Sequence, residues 1–207
     1  MKLQWLGHAC FAITLSDGRV IVTDPYDDSV GYPPLHVKAD IVLSSHDHFD
    51  HNYFAAVEGD PEIINRPGVY ARGGVTVTGV ASFHDEVRGA KRGENVLFAV
   101  QDGDMKLVHL GDLGHLPDTD EQRAILSDVD VLLIPIGGTF TITTPEAVRL
   151  IETFKPRTAI AMHYQNKYCQ FPVADCAGFV AATHARTLPN VVELSKGAPE
   201  GCCVMEI

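Results

Sequence analysis

The highest density of potentially reactive or metal-binding side chains in this sequence is found in six consecutive residues with three histidines and two aspartates, His46-Asp47-His48-Phe49-Asp50-His51. The run follows an apolar segment at 41–43 that predicts a short buried strand. In an extended backbone, residues two apart point to the same side, so His46 and His48 can converge on one ion. Asp50 and His51 come from the following turn and can reach a second ion. Imidazole and carboxylate ligands suit zinc, and also iron or manganese.

One segment cannot complete two metal sites, so further ligands must come from other parts of the chain. His84, Asp112 and His163 each come after an apolar, strand-like segment. A lone histidine in such a place is more often a core or loop residue than a ligand. Three strand ends of this kind, added to the cluster, favour the ligand interpretation and predict a site assembled from several strand ends.

The patterns around these residues predict a mixed α/β chain. Apolar segments predict strands at residues 2–6, 9–15, 20–23, 41–43, 75–81, 95–101, 105–110, 131–134, 158–162, 190–194 and 202–207. Helices are predicted near 51–57, 119–127 and 173–184, and from Thr144-Pro145, where threonine can cap and proline suits the first turn. Two strand-rich stretches, each followed by helices, predict two α/β halves packed sheet to sheet with helices outside.

Composition predicts one folded domain over residues 1–207. Apolar residues make up 45% of the chain, which is enough for a sizeable core. The formal net charge of −11 disfavours nucleic-acid binding, and no apolar run approaches the ~20 residues that span a bilayer. The start of the sequence has no apolar signal-peptide region, and the five cysteines form no C-x-x-C pair. We therefore expect a cytoplasmic protein with reduced thiols and no membrane partner. The sequence leaves open whether it forms a homo-oligomer.

The motif H-x-H-x-D-H after a strand, followed by a distant histidine, a Gly-Asp and a final histidine, resembles the metallo-β-lactamase superfamily. Within it, the chain resembles the small stand-alone Zn-dependent hydrolases that include the ascorbate-6-phosphate lactonase-like proteins. Segments that carry the closer likeness are Trp5 to Phe11, Thr23 to Tyr26, Gly111 to His115, Pro135 to Gly138 and Met162 to Tyr164. The resemblance implies a four-layer αββα sandwich of two mixed β-sheets with helices on both outer faces.

The resemblance also implies a site with two divalent metal ions, Zn²⁺ first and Mn²⁺ or Fe²⁺ as alternatives. The ligands implied are His46, His48 and His84 for the first ion, Asp50, His51 and His163 for the second, and Asp112 between them. Such a pair can lower the pKa of a bridging water towards ~7 and so provide a hydroxide nucleophile. Asp50 is placed to orient that nucleophile and to protonate a leaving group.

Three further residues keep two interpretations each. Asp24 caps a turn or supports metal ligands from behind, as an aspartate at this place does in the family. His8, in a Gly-His-Ala turn, touches substrate or metal, and is expected to act in catalysis with Asp50 and Asp112, or packs in the turn. His115, three residues after Asp112, supports the site or lies outside it.

The predicted activity is hydrolysis of a small soluble metabolite at a lactone, ester or amide bond. Phosphodiester cleavage is the alternative within enzymology, and a metal-binding sensor or scaffold without turnover is the alternative outside it. The loop after His84 carries Arg88, Lys91 and Arg92 in a strongly acidic chain. Because arginine can hold a carboxylate or phosphate through two parallel hydrogen bonds, Arg88 or Arg92 is predicted to bind an anionic substrate. A solvated loop is the competing interpretation.

Overall fold

Strands dominate the computed structural model, which describes residues 1–169, 171–196 and 199–207. In the described chain the strands are β1 (Lys2–Gly7), β2 (Cys10–Thr14), β3 (Val20–Thr23), β4 (Val37–Lys38), β5 (Ile41–Leu43), β6 (Val57–Glu58), β7 (Glu62–Ile64), β8 (Gly68–Arg72), β9 (Val75–Phe83), β10 (Glu94–Asp102), β11 (Met105–His109), β12 (Val131–Pro135), β13 (Thr158–Met162), β14 (Arg186–Leu188), β15 (Val191–Glu193) and β16 (Gly201–Met205). The α-helices are α1 (Asp120–Ile125), α2 (Thr144–Phe154) and α3 (Ala177–Thr183).

The strands form two mixed sheets and a small pair. A six-stranded sheet has the order β15-β1-β2-β3-β5-β7, an eight-stranded sheet has the order β14-β16-β13-β12-β11-β10-β9-β8, and β4 pairs with β6. Neighbours joined by tight turns, such as β10 and β11, are antiparallel, whereas β11, β12 and β13 are parallel with helices between them. This arrangement confirms the predicted metallo-β-lactamase architecture of two mixed sheets.

A buried apolar core joins the two sheets. Trp5 and Phe11 from the six-stranded sheet and Phe98 from the eight-stranded sheet belong to one buried cluster. Burial of each such side chain contributes about 1.5–3 kcal/mol relative to leaving it in water. Strands β12 and β13 are buried along their whole length, as expected where both faces of a parallel sheet are covered.

The helices lie on the eight-stranded sheet. Helix α1 contacts β9 and β10, α3 contacts β16, and α2 contacts α3. Helix α2 begins as predicted, with a capping box between Thr143 and Glu146 and a proline in the first turn. The left-handed backbone of Lys155 ends it.

The outer layer of the six-stranded sheet is built differently from the predicted helices. Two short 3₁₀ turns, Asp28–Val30 and Phe54–Ala56, replace α-helix here, and the second stands where a helix was predicted near 51–57. A second buried cluster, including Tyr26, Val30 and Tyr32, covers this face. Gly31, Pro33 and Pro34 follow the first turn, and Gly59 and Pro61 follow the second, so neither turn can extend far into a longer helix.

The sequence analysis did not predict the short strands β4, β6, β7, β8 and β14. They are two to five residues long, and β7, β8 and β14 lie at or next to sheet edges, where one face is exposed and the apolar alternation is weak. Within the described residues, no helix is long and apolar enough to cross a membrane.

The topology brings the candidate site residues to one edge. Strands β11, β12 and β13 are parallel, so their carboxyl ends lie at the same edge of the sheet. Strand β9 is antiparallel to β10, which is antiparallel to β11, so β9 ends at this edge too. Hydrogen bonds across the sheets hold the edge together, with the amide of Val96 donating to the Ser45 carbonyl at 2.8 Å and the amide of His163 donating to the His8 carbonyl at 3.3 Å.

The first prediction concerns the exit turn of β11. Gly111 has φ +53, and a Cβ there would lie 2.4 Å from both the Asn95 Oδ1 and the Ser45 Cβ atoms. Gly103 has φ +56, and no described atom lies within 4 Å of the corresponding Cβ position. Gly103→Ala should therefore cost only the left-handed strain of about 1–2 kcal/mol. Gly111→Ala should lower the free energy of unfolding by about 1–3 kcal/mol more, because the core must also shift.

Urea unfolding of both variants beside the parent protein measures this difference. Equal losses of stability in the two variants would contradict the close approach at Gly111.

Candidate metal centre

Three histidines form the first group of candidate ligands. Nitrogen atoms of His46, His48 and His84 lie within 4.8 Å of one another. His46 and His48 come from the segment after β5, and His84 follows the end of β9, so the two sheets each contribute. Their rings are 4.4 Å apart for His46 and His48 and 4.7 Å for His46 and His84, measured between centroids. The structure thus brings together the three residues predicted for the first ion.

The second group has four members, one more than predicted. Ligand atoms of Asp50, His51, His163 and His8 lie within 4.8 Å of one another, and all four residues are buried. His8 Nε2 is 3.2 Å from Asp50 Oδ2, and the His8 and His163 ring centroids are 4.1 Å apart. Of the interpretations left open for His8, the structure places its side chain in the centre rather than in the apolar packing of its turn.

Asp112 lies between the two groups. Its Oδ2 atom is 3.3 Å from His84 Nε2 in the first group, and 3.4 Å from His51 Nε2 and 3.1 Å from His163 Nε2 in the second. The side chain is buried, and Asp112 also joins a cluster with His46 and His51. This is the position that the sequence predicted for a ligand shared by two ions.

Asp24 orients one histidine in each group from behind. Its Oδ2 atom accepts a hydrogen bond from His51 Nδ1 at 2.9 Å and another from Ser45 Oγ at 2.8 Å. Since the serine proton is used on Asp24, the contact of 2.9 Å between Ser45 Oγ and His46 Nδ1 requires the histidine to donate. Both histidines therefore donate through Nδ1 and direct Nε2 into the centre, where it can bind an ion.

Three residues of the centre have the left-handed backbone that side chains rarely adopt. His8, Asp24 and His163 have φ of +53, +40 and +52. Each such position costs on the order of 1–3 kcal/mol and persists where the surrounding structure fixes it. The hydrogen bond from the His163 amide to the His8 carbonyl joins two of these positions, and the Asp24 amide donates to the Leu43 carbonyl at 2.8 Å.

Electrostatics favour a bound cation. Burial alone would raise the pKa of the Asp112 carboxyl, but His163 and His51 hold that pKa well below its ordinary value. Burial alone would lower the pKa of His51, yet Asp112, Asp50 and Asp24 raise that pKa well above its ordinary value. Burial lowers the pKa of His8 to about 4. The buried carboxylates of Asp24, Asp50 and Asp112 thus surround one histidine whose pKa is raised, and divalent cations would balance their charge.

The orphaned polar atoms test whether these residues fit metal ions. Within the described residues, buried side-chain atoms without a hydrogen-bond partner are His8 Nδ1, His46 Nε2, His51 Nε2, His84 Nδ1, Asp112 Oδ1 and His163 Nδ1. All six belong to the centre, although buried polar atoms are normally paired. The Nε2 atoms of His46 and His51 are those left free by the Asp24 hydrogen bonds. Imidazole nitrogens with carboxylate oxygens are the donors that zinc, iron and manganese accept, so the fit is good.

Buried side chains behind Asp112 hold its turn. Asn95 Oδ1 accepts from the Asp112 amide at 2.9 Å, and His109 Nδ1 accepts from the Gly111 amide at 3.0 Å. His109 Nε2 donates to the Ala9 carbonyl at 2.8 Å, so this histidine is satisfied and stays out of the centre. His115 Nε2 accepts from the Phe83 amide at 3.2 Å, one residue before His84. His115 therefore supports the end of β9 and belongs to neither ligand group in the described chain.

Asp85 organises the loop after His84, a role that the sequence analysis missed. Its buried carboxylate accepts the amides of Val87, Gly89, Lys91 and Arg92 at 2.8–2.9 Å. Burial would raise the pKa of Asp85, but these backbone hydrogen bonds lower it to about 2. An aspartate directly before a stretch with two glycines was the available signal, because such loops need an acceptor for their amides.

A cavity of about 290 Å³ opens onto both groups. Its lining includes His48, Asp50, His84, Asp112 and His163 from the centre, Arg92, and a wall of Phe49, Phe140, Phe171 and Pro172. The Arg92 guanidinium lies 5.5 Å from the Phe140 ring centroid and donates to the Thr139 carbonyl at 3.0 Å. The aromatic wall was not recognised in the sequence, because its members come from three separate loops.

Arg88 does not share the position of Arg92. Its side chain is 80% exposed, its Nη2 is 3.9 Å from Asp118 Oδ2, and it is absent from the lining of this cavity in the described chain. Of the two arginines predicted to bind substrate, the structure brings only Arg92 to the centre. The left-handed backbone of Arg88, with φ +57, belongs to the turn held by Asp85 and directs the two side chains apart.

Comparisons with known proteins agree with this geometry. The family model described as the beta-lactamase superfamily domain matches residues 2–163. A crystal structure from Thermotoga maritima, assigned to the Zn-dependent hydrolases of the metallo-β-lactamase superfamily, has 37% identity and a TM-score of 0.82, with 99% of this chain and 97% of that chain covered. A UPF0173 metal-dependent hydrolase of Thermofilum pendens has 31% identity over 95% of this chain and 96% of the relative. A UPF0173 protein of Pyrococcus furiosus has 32% identity over 79% and 83%.

The second prediction concerns Asp24. Asp24→Asn removes one acceptor, so His46 and His51 lose their fixed orientation, and metal affinity should fall by about 10- to 100-fold. A matched control is Asp102→Asn, because Asp102 accepts from the Ser16 amide at 2.7 Å and from Ser16 Oγ at 2.5 Å, as Asp24 does from Ser45. Competition with a chromogenic chelator measures the affinities. A similar affinity in both variants would show that Asp24 does not act on the metal ligands.

Proposed function

Since this chain belongs to the metallo-β-lactamase superfamily and is a metal-dependent hydrolase, we propose that it cleaves a small anionic metabolite at a lactone, ester or amide bond. The observation that carries the proposal is the cavity above the candidate ligands. Its volume of about 290 Å³ is at the low end for ligand pockets, so a small substrate fits. The Arg92 guanidinium lies beside the aromatic wall of this cavity, where it can bind an anionic group of that substrate.

We propose that the protein binds two Zn²⁺ ions. They would be held by His46, His48 and His84, by Asp50, His51 and His163, and by Asp112 between them. The ions would supply Lewis acidity and lower the pKa of water. Asp50 accepts a proton from the attacking water and returns it to the leaving oxygen. His8 Nε2, 3.2 Å from Asp50 Oδ2, holds that carboxylate in place. The water oxygen bonds to the acyl carbon, the bond from this carbon to the leaving oxygen breaks, and an acid and an alcohol result.

The walls of the cavity favour a partly apolar substrate. Phe49, with 51% of its surface exposed, would gain cover from a bound molecule, as would Phe171 opposite it at a ring-centroid distance of 6.3 Å. We propose that the substrate presents a flat apolar portion to these rings and its anionic group to Arg92. We also propose a cytoplasmic location, in keeping with five free cysteines, and no nucleic-acid partner, in keeping with a net charge of −11.

The third prediction concerns metal content. We expect close to two divalent ions per chain, and Asp112→Ala should lose at least one ion and most of the activity, because its carboxylate contacts both groups. The chain should stay folded, since the apolar core forms independently of the metal. Asp130→Ala, which also removes a buried aspartate, is the control. Elemental analysis and circular dichroism measure these outcomes; a folded parent protein with only trace metal would refute the two-ion site.

The fourth prediction concerns the substrate. Phenyl acetate, 4-acetoxybenzoate, dihydrocoumarin and bis(4-nitrophenyl) phosphate test a neutral ester, an anionic ester, a lactone and a phosphodiester. We expect a higher kcat/KM for 4-acetoxybenzoate than for phenyl acetate, and no turnover after chelation. Arg92→Gln should raise KM for the anionic ester by about 10- to 100-fold, the effect of losing ~1.5–3 kcal/mol of charged hydrogen bonding.

Arg88→Gln is the control, because it removes an exposed arginine from the same loop. Metal content and Tm of each variant show whether the Arg92 hydrogen bond to Thr139 has only a structural effect. A preference for the phosphodiester would favour the alternative activity, and equal KM values in both arginine variants would remove Arg92 from substrate binding.

A further inference from the structure

A second cavity of about 580 Å³ reaches the centre from the side. It lies between the segment after β7 and the β9–β10 hairpin, and residues on its lining include His46, His48, Arg66, Arg92, Glu94 and Asn95. We call it the side groove. It is about twice as large as the cavity over the candidate ligands, and its wall includes two of the histidines predicted to bind the first ion.

The two cavities meet at shared residues. His48 and Arg92 line both of them, so the two cavities adjoin at these two side chains. His48 and Arg92 are each half-buried and therefore accessible from the solvent side. Aromatic side chains line the cavity over the candidate ligands, whereas the side groove adds the charged side chains of Asp47, Arg66 and Glu94.

Arg66 gives the side groove its own anion-binding group. Its backbone is held in place, because the Arg66 carbonyl accepts from Tyr70 Oη at 3.1 Å and lies only 2.8 Å from the position that a Cβ on Gly79 would occupy. Across the described chain, its guanidinium makes no ion pair and donates no hydrogen bond. Arg66 is exposed, so its unpaired guanidinium at the cavity wall is open to a carboxylate or phosphate from the solvent.

The acidic groups of the side groove do not neutralise Arg66. Asp47 accepts from the side chain of Asn52, whereas Glu94 is exposed. A cavity of about 930 Å³ at the opposite edge of the protein differs in this respect. There Lys106 Nζ donates to the Ser127 carbonyl at 2.7 Å and Arg157 Nε is 3.5 Å from Asp130 Oδ1, so these two cations of that cavity are already engaged.

We propose that the side groove binds a second anionic group of the substrate through Arg66, so that the protein acts on elongated dianions. The proposal rests on the proposed function, because it extends the same substrate. One anionic group meets Arg92 beside the candidate ligands, the apolar middle passes His48, and the second anionic group meets Arg66. A carboxylate or a phosphate at the far end has the chemistry that a guanidinium recognises.

Binding of chain-length-matched acids to the metal-loaded protein tests this directly. The probes are the dicarboxylates succinate, adipate and suberate, each beside the monocarboxylate with the same number of carbons, measured by isothermal titration calorimetry. For the best-fitting length, the dicarboxylate should bind about 10-fold more tightly than its monocarboxylate, the effect of one charged hydrogen-bonded contact. In Arg66→Gln this advantage should disappear.

Two further variants test whether dicarboxylate binding responds to charge within the side groove. Glu94→Gln removes a negative charge from the side groove, so it should tighten dicarboxylate binding about two- to fivefold, opposite to Arg66→Gln. Arg88→Gln removes an exposed cation outside both cavities and should leave the ratio between dicarboxylate and monocarboxylate unchanged. An unaltered ratio in Arg66→Gln, or an equal loss in Arg88→Gln, would overturn the proposal.

Turnover separates this proposal from the proposed function. If the metal-loaded protein hydrolyses none of the ester, lactone and phosphodiester probes but keeps an Arg66-dependent preference for dicarboxylates, the hydrolysis proposal fails and the side groove stands. If it hydrolyses 4-acetoxybenzoate but binds dicarboxylates and monocarboxylates equally, only the side-groove proposal fails. Alkyl phosphates that carry a terminal carboxylate show whether a phosphate can replace one of the two carboxylates: binding with the same Arg66 dependence supports the shared anion chemistry, and binding without it counts against Arg66.

Discussion

The structure depends on the need to balance buried negative charge at one edge of the sheets. Asp24, Asp50 and Asp112 all lie around His51, and their charges raise its pKa well above the ordinary value although burial acts to lower it. Carboxylates that are kept this far from water require compensating cations. Several histidine nitrogens in the described centre have no hydrogen-bond partner, so they can offer lone pairs to the same ions.

The scaffold meets this requirement with rigid connections rather than with long ligand-bearing segments. Parallel β11, β12 and β13 end at one edge, and the amide of Val96 and the amide of His163 tie the loops of one sheet to the other. Asp24 then fixes His46 and His51 through hydrogen bonds. Such outer contacts hold ligands within the narrow geometry that metal chemistry needs. The backbone strain at three positions of the centre is consistent with this role, because strain persists where the surrounding structure fixes a residue.

The side chains that we propose to contact the substrate lie outside the set of candidate metal ligands. The aromatic wall comes from Phe49, Phe140 and Phe171, whose loops leave three different strands. Asp85 fixes the loop that carries Arg92, and the close approach at Gly79 fixes the segment that carries Arg66. Loops on a rigid sheet can change without disturbing the core, which is why one architecture can serve substrates of different shape and charge.

The sequence by itself indicated the candidate ligands, the strand ends that carry them and the sheet-on-sheet architecture, because a dense histidine run and apolar alternation are local signals. It also indicated Asp24 as a support, which the hydrogen bonds to His51 and Ser45 now explain. Only the tertiary structure decided that His8 joins the second group and that Arg92, unlike Arg88, reaches the cavity. It also decided that 3₁₀ turns replace helices on one face. Those outcomes depend on residues far apart in the chain coming into contact, and no local pattern encodes which side of a loop faces the site.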